Sequence, residues 1–299
     1  MTRVAIITGR HGMTRPNYRH IINAALNRPA KRLPLYEHNI GSGVIVALTG
    51  EDYLATIRSG DSSFADKVEA FRKLCAFYCT YGYDVIAFEC CVTENVQQGK
   101  ALMGHGTSII NGVDDVRNYD WAGLERDFIR CTDQRYRALA EALPPGMKAV
   151  GGIGNGVFEI AQDFTTYTGL CMLQFDDPEA YALLWQRIGD TLVNIWQWFL
   201  KHHASAYAVC RFGDDLGFNT STLLQPAEIR THVLPQYKRI VDLVHAGSKP
   251  FLLHSCGKIH EVMDDLIEGV GIDAKHSNED SIDTFDVWIA RYGDRIGNF

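Results

Sequence analysis

Short apolar runs alternate with longer amphipathic stretches along most of the chain, which predicts strands and helices in turn. Asp84–Cys90, Lys148–Ile153, Tyr207–Phe212, Pro250–His254 and Ile272–Lys275 read as strands too continuously apolar to have one wet face. Leu33–Tyr36 reads as a short strand ahead of them, and Arg295–Phe299 as the start of a last one. Helical periodicity covers Lys67–Tyr81, Leu124–Leu143, Pro178–His203, Ile259–Glu268 and Thr284–Tyr292. A first helix is expected over Asn17–Asn27, after Thr14 and Pro16, and Pro226–Ala246 reads as helical with a break or new start at Pro235. Gly104–Tyr119, punctuated by Gly, Asn and Asp, reads as a loop.

Repeated strand-then-helix units imply a parallel sheet covered by helices. An open doubly wound sheet would gather its polar residues at one switch point. Here polar clusters follow nearly every strand, which favours an α/β (β/α)8 TIM-type barrel. The pattern supplies seven strands, one fewer than a closed barrel of this kind needs. The chain is therefore expected to stop before an eighth strand; the alternative is that Val4–Thr8 closes the ring. With no linker or repeat, residues 1–299 read as a single barrel domain with residues 1–32 as an N-terminal helical arm.

Composition narrows the class of partner. The net charge is −7 with no block of Lys or Arg, which argues against nucleic acid or an anionic membrane surface. No secretory segment opens the sequence and no apolar run reaches the roughly 18 residues of a membrane span, so a cytoplasmic protein is expected. Eight cysteines occur without a CxxC pair, which disfavours a disulfide framework and leaves most of them as small buried hydrophobes. Cys256 stands apart because of its neighbours.

In a barrel of this kind the working residues sit at the C-terminal ends of the strands. Those positions hold Glu37 and His38, Glu89, Asn155, Asp214 and Asp215, His254 and Cys256, and His276 and Glu279. The sharpest feature is Leu252-Leu253-His254-Ser255-Cys256-Gly257, because residues two apart on a strand face one side. Imidazole and thiolate together make a zinc-type ligand pair. The plainer alternative is a hydrogen-bonded core histidine beside a buried thiol. Glu279 could complete a metal shell or hold its surroundings. Asp214, Asp215 and Glu89 are the candidates for acid–base work, with helix capping expected of at least one aspartate. Glu37, His38, Asn155 and His276 are expected to line the substrate pocket. The glycines from Gly151 to Gly156 match neither phosphate-loop spacing and read as a tight turn or a close backbone approach. Trp185, Trp196, Trp198 and Phe199 read as helix packing.

The order Gly213-Asp214-Asp215, Gln225-Pro226-Ala227-Glu228, Leu234-Pro235-Gln236-Tyr237-Lys238 and His254-Ser255-Cys256-Gly257 resembles the uroporphyrinogen decarboxylase superfamily. Ala24–Pro34 and Tyr292–Ile296 extend the resemblance over nearly the whole chain. The HxCG element is similar to its methyltransferase branch, which includes methylcobamide:coenzyme M methyltransferases. That resemblance implies zinc held by His254, Cys256 and a further Cys far downstream, which at the expected distance would lie beyond Phe299. It also implies a corrinoid protein as partner, carrying methylcobamide, a small-molecule substrate such as a thiol or a methoxy or methylamine donor, and a possible homodimer. The runner-up readings are a uroporphyrinogen decarboxylase-like lyase and a ligand-binding barrel without turnover. The Arg-rich segment that binds porphyrinogen carboxylates in the decarboxylases is replaced here by Tyr36-Glu37-His38-Asn39-Ile40-Gly41, the wrong charge for that substrate.

Overall fold

The computed structural model describes residues 15–96 and 107–299, so Val4–Thr8 and the first part of Gly104–Tyr119 lie outside the described residues. Six strands among the described residues form one parallel sheet in chain order: β1 (Val85–Cys90), β2 (Lys148–Ile153), β3 (Tyr207–Gly213), β4 (Phe251–His254), β5 (Ala274–His276) and β6 (Gly297–Asn298). Helices α1 (Arg19–Ala25), α2 (Ser42–Thr49), α3 (Tyr53–Arg58) and α4 (Phe64–Thr80) precede β1. Between β1 and β2 lie α5 (Val113–Asn118) and α6 (Trp121–Ala142), and α7 (Val157–Thr165), α8 (Tyr167–Asp176) and α9 (Pro178–His202) lead to β3. Then come α10 (Pro226–Glu228) and α11 (Leu234–Ala246) before β4, α12 (His260–Asp264) before β5 and α13 (Phe285–Tyr292) before β6. The architecture is an α/β barrel of the TIM type.

Local chemistry sets the helix starts. Ser63 and Asp66 form a reciprocal capping box at α4. Asp177 accepts from the Ala180 N–H while Pro178 occupies the first helical position of α9, where its missing N–H costs nothing. A new α-helical start does fall at Pro235. The proline is the second residue of α11, and a π-helical turn over Ile229–Val233 runs into it, so no intrahelical donor is needed from its nitrogen. Helix α5 forms inside the segment expected to be a loop, too short to show a periodic stripe. α7 and α8 follow directly on Gly156, where the glycine run masks the start of a helix.

The expected strand at Leu33–Tyr36 carries no ladder hydrogen bonds. Pro34 has no N–H to donate, and Leu33 is 84% exposed, so neither residue anchors an edge. Tyr36 still points into the barrel, where its ring meets the edges of His276 and Phe299, each at 5.5 Å between centroids.

Alternation along the strands divides the interior in two. Ile86, Phe88 and Cys90 of β1, Phe212 of β3 and Phe251 and Leu253 of β4 face the helices, joining Trp185, Trp196 and Phe199 of α9 in the main core. Val85, Val150, Val209, Leu252 and Ala274 face the barrel axis. Ile21 and Ala25 of α1 pack on that inner layer, so α1 covers the end of the barrel where the strands begin. Its approach to β6 is close: a Cβ on Gly297 would lie 2.3 Å from the Ala24 carbonyl. All eight cysteines are free thiols, with Cys75, Cys90 and Cys210 buried.

Candidate metal centre at the barrel mouth

Two to four residues further along each strand, the inward positions change from hydrocarbon to ionisable groups. Glu89 follows Val85 and Ala87 on β1, Arg211 follows Val209 on β3, His254 follows Leu252 on β4, and His276 follows Ala274 on β5. Register places Gly213, His254 and His276 at one level across adjacent strands. His38, from the segment after Tyr36, inserts from the other side and stacks on His254 at 4.1 Å between centroids and 11° between planes. The Nδ1 atoms of His254 and His276 lie 2.7 Å apart, so one donates to the other.

Arg211 anchors this layer. It is 1% exposed, and its guanidinium donates to Glu89 and to Nδ1 of His38. Burial raises the Glu89 pKa against the opposing pull of Arg211. The imidazoles are kept neutral: burial and then Arg211 lower His254 to about 4, and burial, then His254 and Arg211, lower His276 to about 3. His38 falls likewise, through burial and then Arg211. A polar cavity of about 110 Å³ adjoins the cluster, lined in part by His38, Arg58, Glu89, Cys91, Glu94 and Arg211.

Cys256 sits just past the end of β4, its Sγ 3.6 Å from Nε2 of His254 and 3.7 Å from the Ser277 hydroxyl. Its N–H donates to Asp215 Oδ1 at 2.8 Å, and that same oxygen lies 3.7 Å from His254 Nε2. Burial, and then the Asp215 carboxylate, raise the thiol to about 11. The turn that carries Cys256 depends on Gly257, whose φ of +84° suits glycine and whose Cβ position would overlap the Gly217 backbone at 2.0 Å. Among the described residues two groups hold ligand atoms within 4.8 Å of one another: Asp215 with His254 and Cys256, and His38 with His254 and His276.

The expected site residues therefore separate. His38, Glu89, Asp215, His254, Cys256 and His276 converge. Asp214 turns the opposite way from Asp215 and is fully buried, accepting from the N–H groups of Phe158 and Glu159 at the start of α7 and from the Tyr237 hydroxyl at 2.5 Å. Burial lifts its pKa to about 7 despite those donors. Gly156 is required beside it, since a Cβ there would lie 2.3 Å from the Asp214 carboxylate. Asn155 links Thr93 to Glu159. Glu279 accepts from the Gly257 N–H at 2.6 Å and so clamps the turn after Cys256. Glu37 is exposed and lines a separate apolar groove of about 460 Å³ with Val44, Leu48, Phe77 and Tyr81, outside the barrel. Sequence reasoning passed over Arg211, although a lone arginine within Tyr207–Phe212, an otherwise uncharged buried strand, was the available signal. Tyr36 and Ser277 were also missed.

A parallel barrel with a nitrogen, sulfur and oxygen cluster at the carboxyl ends of its strands defines a class of barrel proteins whose mouth is equipped to hold a small ligand or ion. The family model for uroporphyrinogen decarboxylase (URO-D) matches residues 114–293, and the chain belongs to that family. A solved structure described as a methyltransferase from Methanosarcina mazei superposes with a TM-score of 0.70, covering 95% of this chain and 83% of that one at 15% identity. Likeness at that identity is a likeness of fold. No curated protein sequence matches the chain. No helix among the described residues is long and apolar enough to cross a membrane.

Proposed function

We propose that this chain is a metal-dependent methyltransferase, moving a methyl group between a corrinoid protein and a thiol or a methoxy- or methylamine-type small molecule. The observation that carries the reading is the 3.6 Å separation of His254 Nε2 and Cys256 Sγ at the barrel mouth. Zn–N and Zn–S bonds at tetrahedral angles put such atoms about 3.5 Å apart, so the pair fits the ion without rearrangement. The chemistry of the donors agrees, since a neutral imidazole offers its lone pair and the thiol needs only to lose its proton on binding. Bound zinc would supply Lewis acidity, holding a substrate thiol as its thiolate near neutral pH.

The protein's own groups do the rest. His38 and His276 hold the His254 ring on two sides, and Arg211, neutralised by Glu89, holds His38. Ser277 lies within reach of the Cys256 sulfur. Glu89 borders the cavity beside the histidines as the ionised partner of Arg211. Porphyrinogen decarboxylation is disfavoured, because the buried guanidinium of Arg211 at the mouth is already paired with Glu89.

The test is direct. Protein purified without chelator should hold stoichiometric zinc and demethylate methylcobalamin in the presence of a thiol, followed by the cobalamin absorbance. His254→Ala and Cys256→Ala should abolish both. Wild-type protein free of zinc, or variants with full activity, would remove the basis of the reading.

A further inference from the structure

We infer that Lys275 and Ser277 form a positioning pair for the Cys256 sulfur. The buried ammonium of Lys275 fixes the turn after β5, and from that turn the Ser277 hydroxyl donates to the sulfur once it is a thiolate. The inference rests on the metal-dependent reading above and holds whichever further donors complete the site.

Lys275 is the odd residue in its row. Register sets Phe212 of β3, Leu253 of β4 and Lys275 of β5 side by side, and Phe212 and Leu253 belong to the core beneath the helices. Two of the three are plain hydrocarbon, and the third is a cation that is 0% exposed. Taking an ammonium out of water is costly unless other groups replace the lost hydration. A leucine there would meet the same neighbours without that cost, so what Lys275 touches accounts for its presence. Its Nζ donates to the Ser277 carbonyl, lies 3.4 Å from Asn278 Oδ1 and sits 4.1 Å from the centroid of the Trp288 ring of α13. Asn278 in turn donates to the Phe299 carbonyl at 2.9 Å. Among the described residues no carboxylate pairs with the ammonium, which is spent on the turn itself. Burial lowers its pKa to about 8, which leaves it a cation at neutral pH, and Cys256 is the first of the acidic groups that oppose the shift.

The turn so held presents Ser277 to the site. Its hydroxyl lies 3.7 Å from Cys256 Sγ and has no other hydrogen-bond partner among the described residues. The carbonyl of the preceding residue, His276, accepts the Ser255 N–H at 2.6 Å, which ties the turn to the strand end that carries Cys256. A thiolate has no hydrogen to give, so the hydroxyl becomes the donor as soon as the sulfur holds an ion. That hydrogen bond draws electron density from the sulfur. A bound ion is left more Lewis acidic, and the Cys256 sulfur competes less well for a methyl group meant for the substrate. Lys275 is therefore a positioning residue acting through Ser277.

The test uses the full chain, loaded with Co²⁺ for absorption spectra and titrated with zinc against a chromophoric chelator. Ser277→Ala, which removes only the hydroxyl, should move the thiolate-to-cobalt charge-transfer band to longer wavelength and weaken zinc by about 10-fold. Ser277→Thr should keep the wild-type band. Lys275→Met, similar in length but uncharged, should reproduce the Ser277→Ala shift. The double variant should go no further than either single one, because both act through one hydrogen bond. Lys275→Gln, still able to donate to the Ser277 carbonyl, should fall between Lys275→Met and wild type, and it carries the comparison where Lys275→Met does not fold. A urea midpoint for each variant separates loss of fold from loss of position. An unmoved band in Ser277→Ala would overturn the inference, while zinc uptake by the wild type left the metal-dependent reading standing. A moved band in Ser277→Ala with none in the folded Lys275 variants, or shifts that add in the double variant, would overturn the role of Lys275. A wild-type chain that takes up neither ion would overturn the metal-dependent reading and this inference together.

Discussion

The two ends of the barrel use the same strands for opposite purposes. Where the strands begin, the inward residues are Val85, Val150, Val209, Leu252 and Ala274, sealed by Ile21 and Ala25 of α1. Four residues along β1 or two along β4 and β5, the inward residues become Glu89, His254 and His276, with Arg211 entering from β3. The lower layer contributes stability by removing hydrocarbon from water, about 1.5–3 kcal/mol for a fully buried Leu or Val. The upper layer gathers buried polar groups that cost stability unless each is paired. The barrel wall thus supports a polar mouth that could not hold itself together.

Substitutions that separate the two layers test this contrast. The largest effect is expected for His254→Ala or Cys256→Ala, which should lower zinc affinity by at least about 1,000-fold while shifting the urea midpoint little, because both residues are only partly buried. Arg211→Met comes next. It leaves the partly buried Glu89 without its cation, a loss of about 3 kcal/mol in urea unfolding. The double variant with Glu89→Gln should recover much of that loss, since the buried charge is removed along with its partner. Leu252→Ala, in the layer below, should cost about 2–5 kcal/mol through the cavity it opens and leave zinc affinity unchanged; a large loss of affinity there would mean the two layers are not separable. Asp214→Asn should cost about 1–2 kcal/mol by weakening the start of α7, with zinc affinity within a few-fold of wild type. The smallest effect is expected for Glu37→Gln, exposed in its outer groove, with neither affinity nor midpoint altered.

Much of the fold was legible because strand and helix patterns are local. The β2 range matched the expected one at both ends, and α9 and β3 matched to within a residue. Leu33–Tyr36 shows where pattern misleads: the apolar alternation is present, but pairing depends on a neighbour's N–H and C=O groups, and Pro34 withholds a donor. The site was half legible. Polar residues at strand ends could be named, but Asp214 and Asp215 are adjacent in sequence and only the packed α7 shows which one is consumed as a cap. Arg211 escaped notice because its significance lies in Glu89 and His38, 122 and 173 residues away in the chain.

By itself the sequence determined the repeating strand–helix order and named the polar residues at the strand ends, His254 and Cys256 among them, each a consequence of backbone periodicity or chain order. Tertiary structure alone decided which rim residues meet: that His38 stacks on His254, that Arg211 bridges Glu89 and His38, and that Asp215 lies beside His254 and Cys256 while Asp214 caps α7. The reason is that side-chain distances across a barrel depend on strand register and on the loops between strands. Neither is encoded in any window short enough to read along the chain.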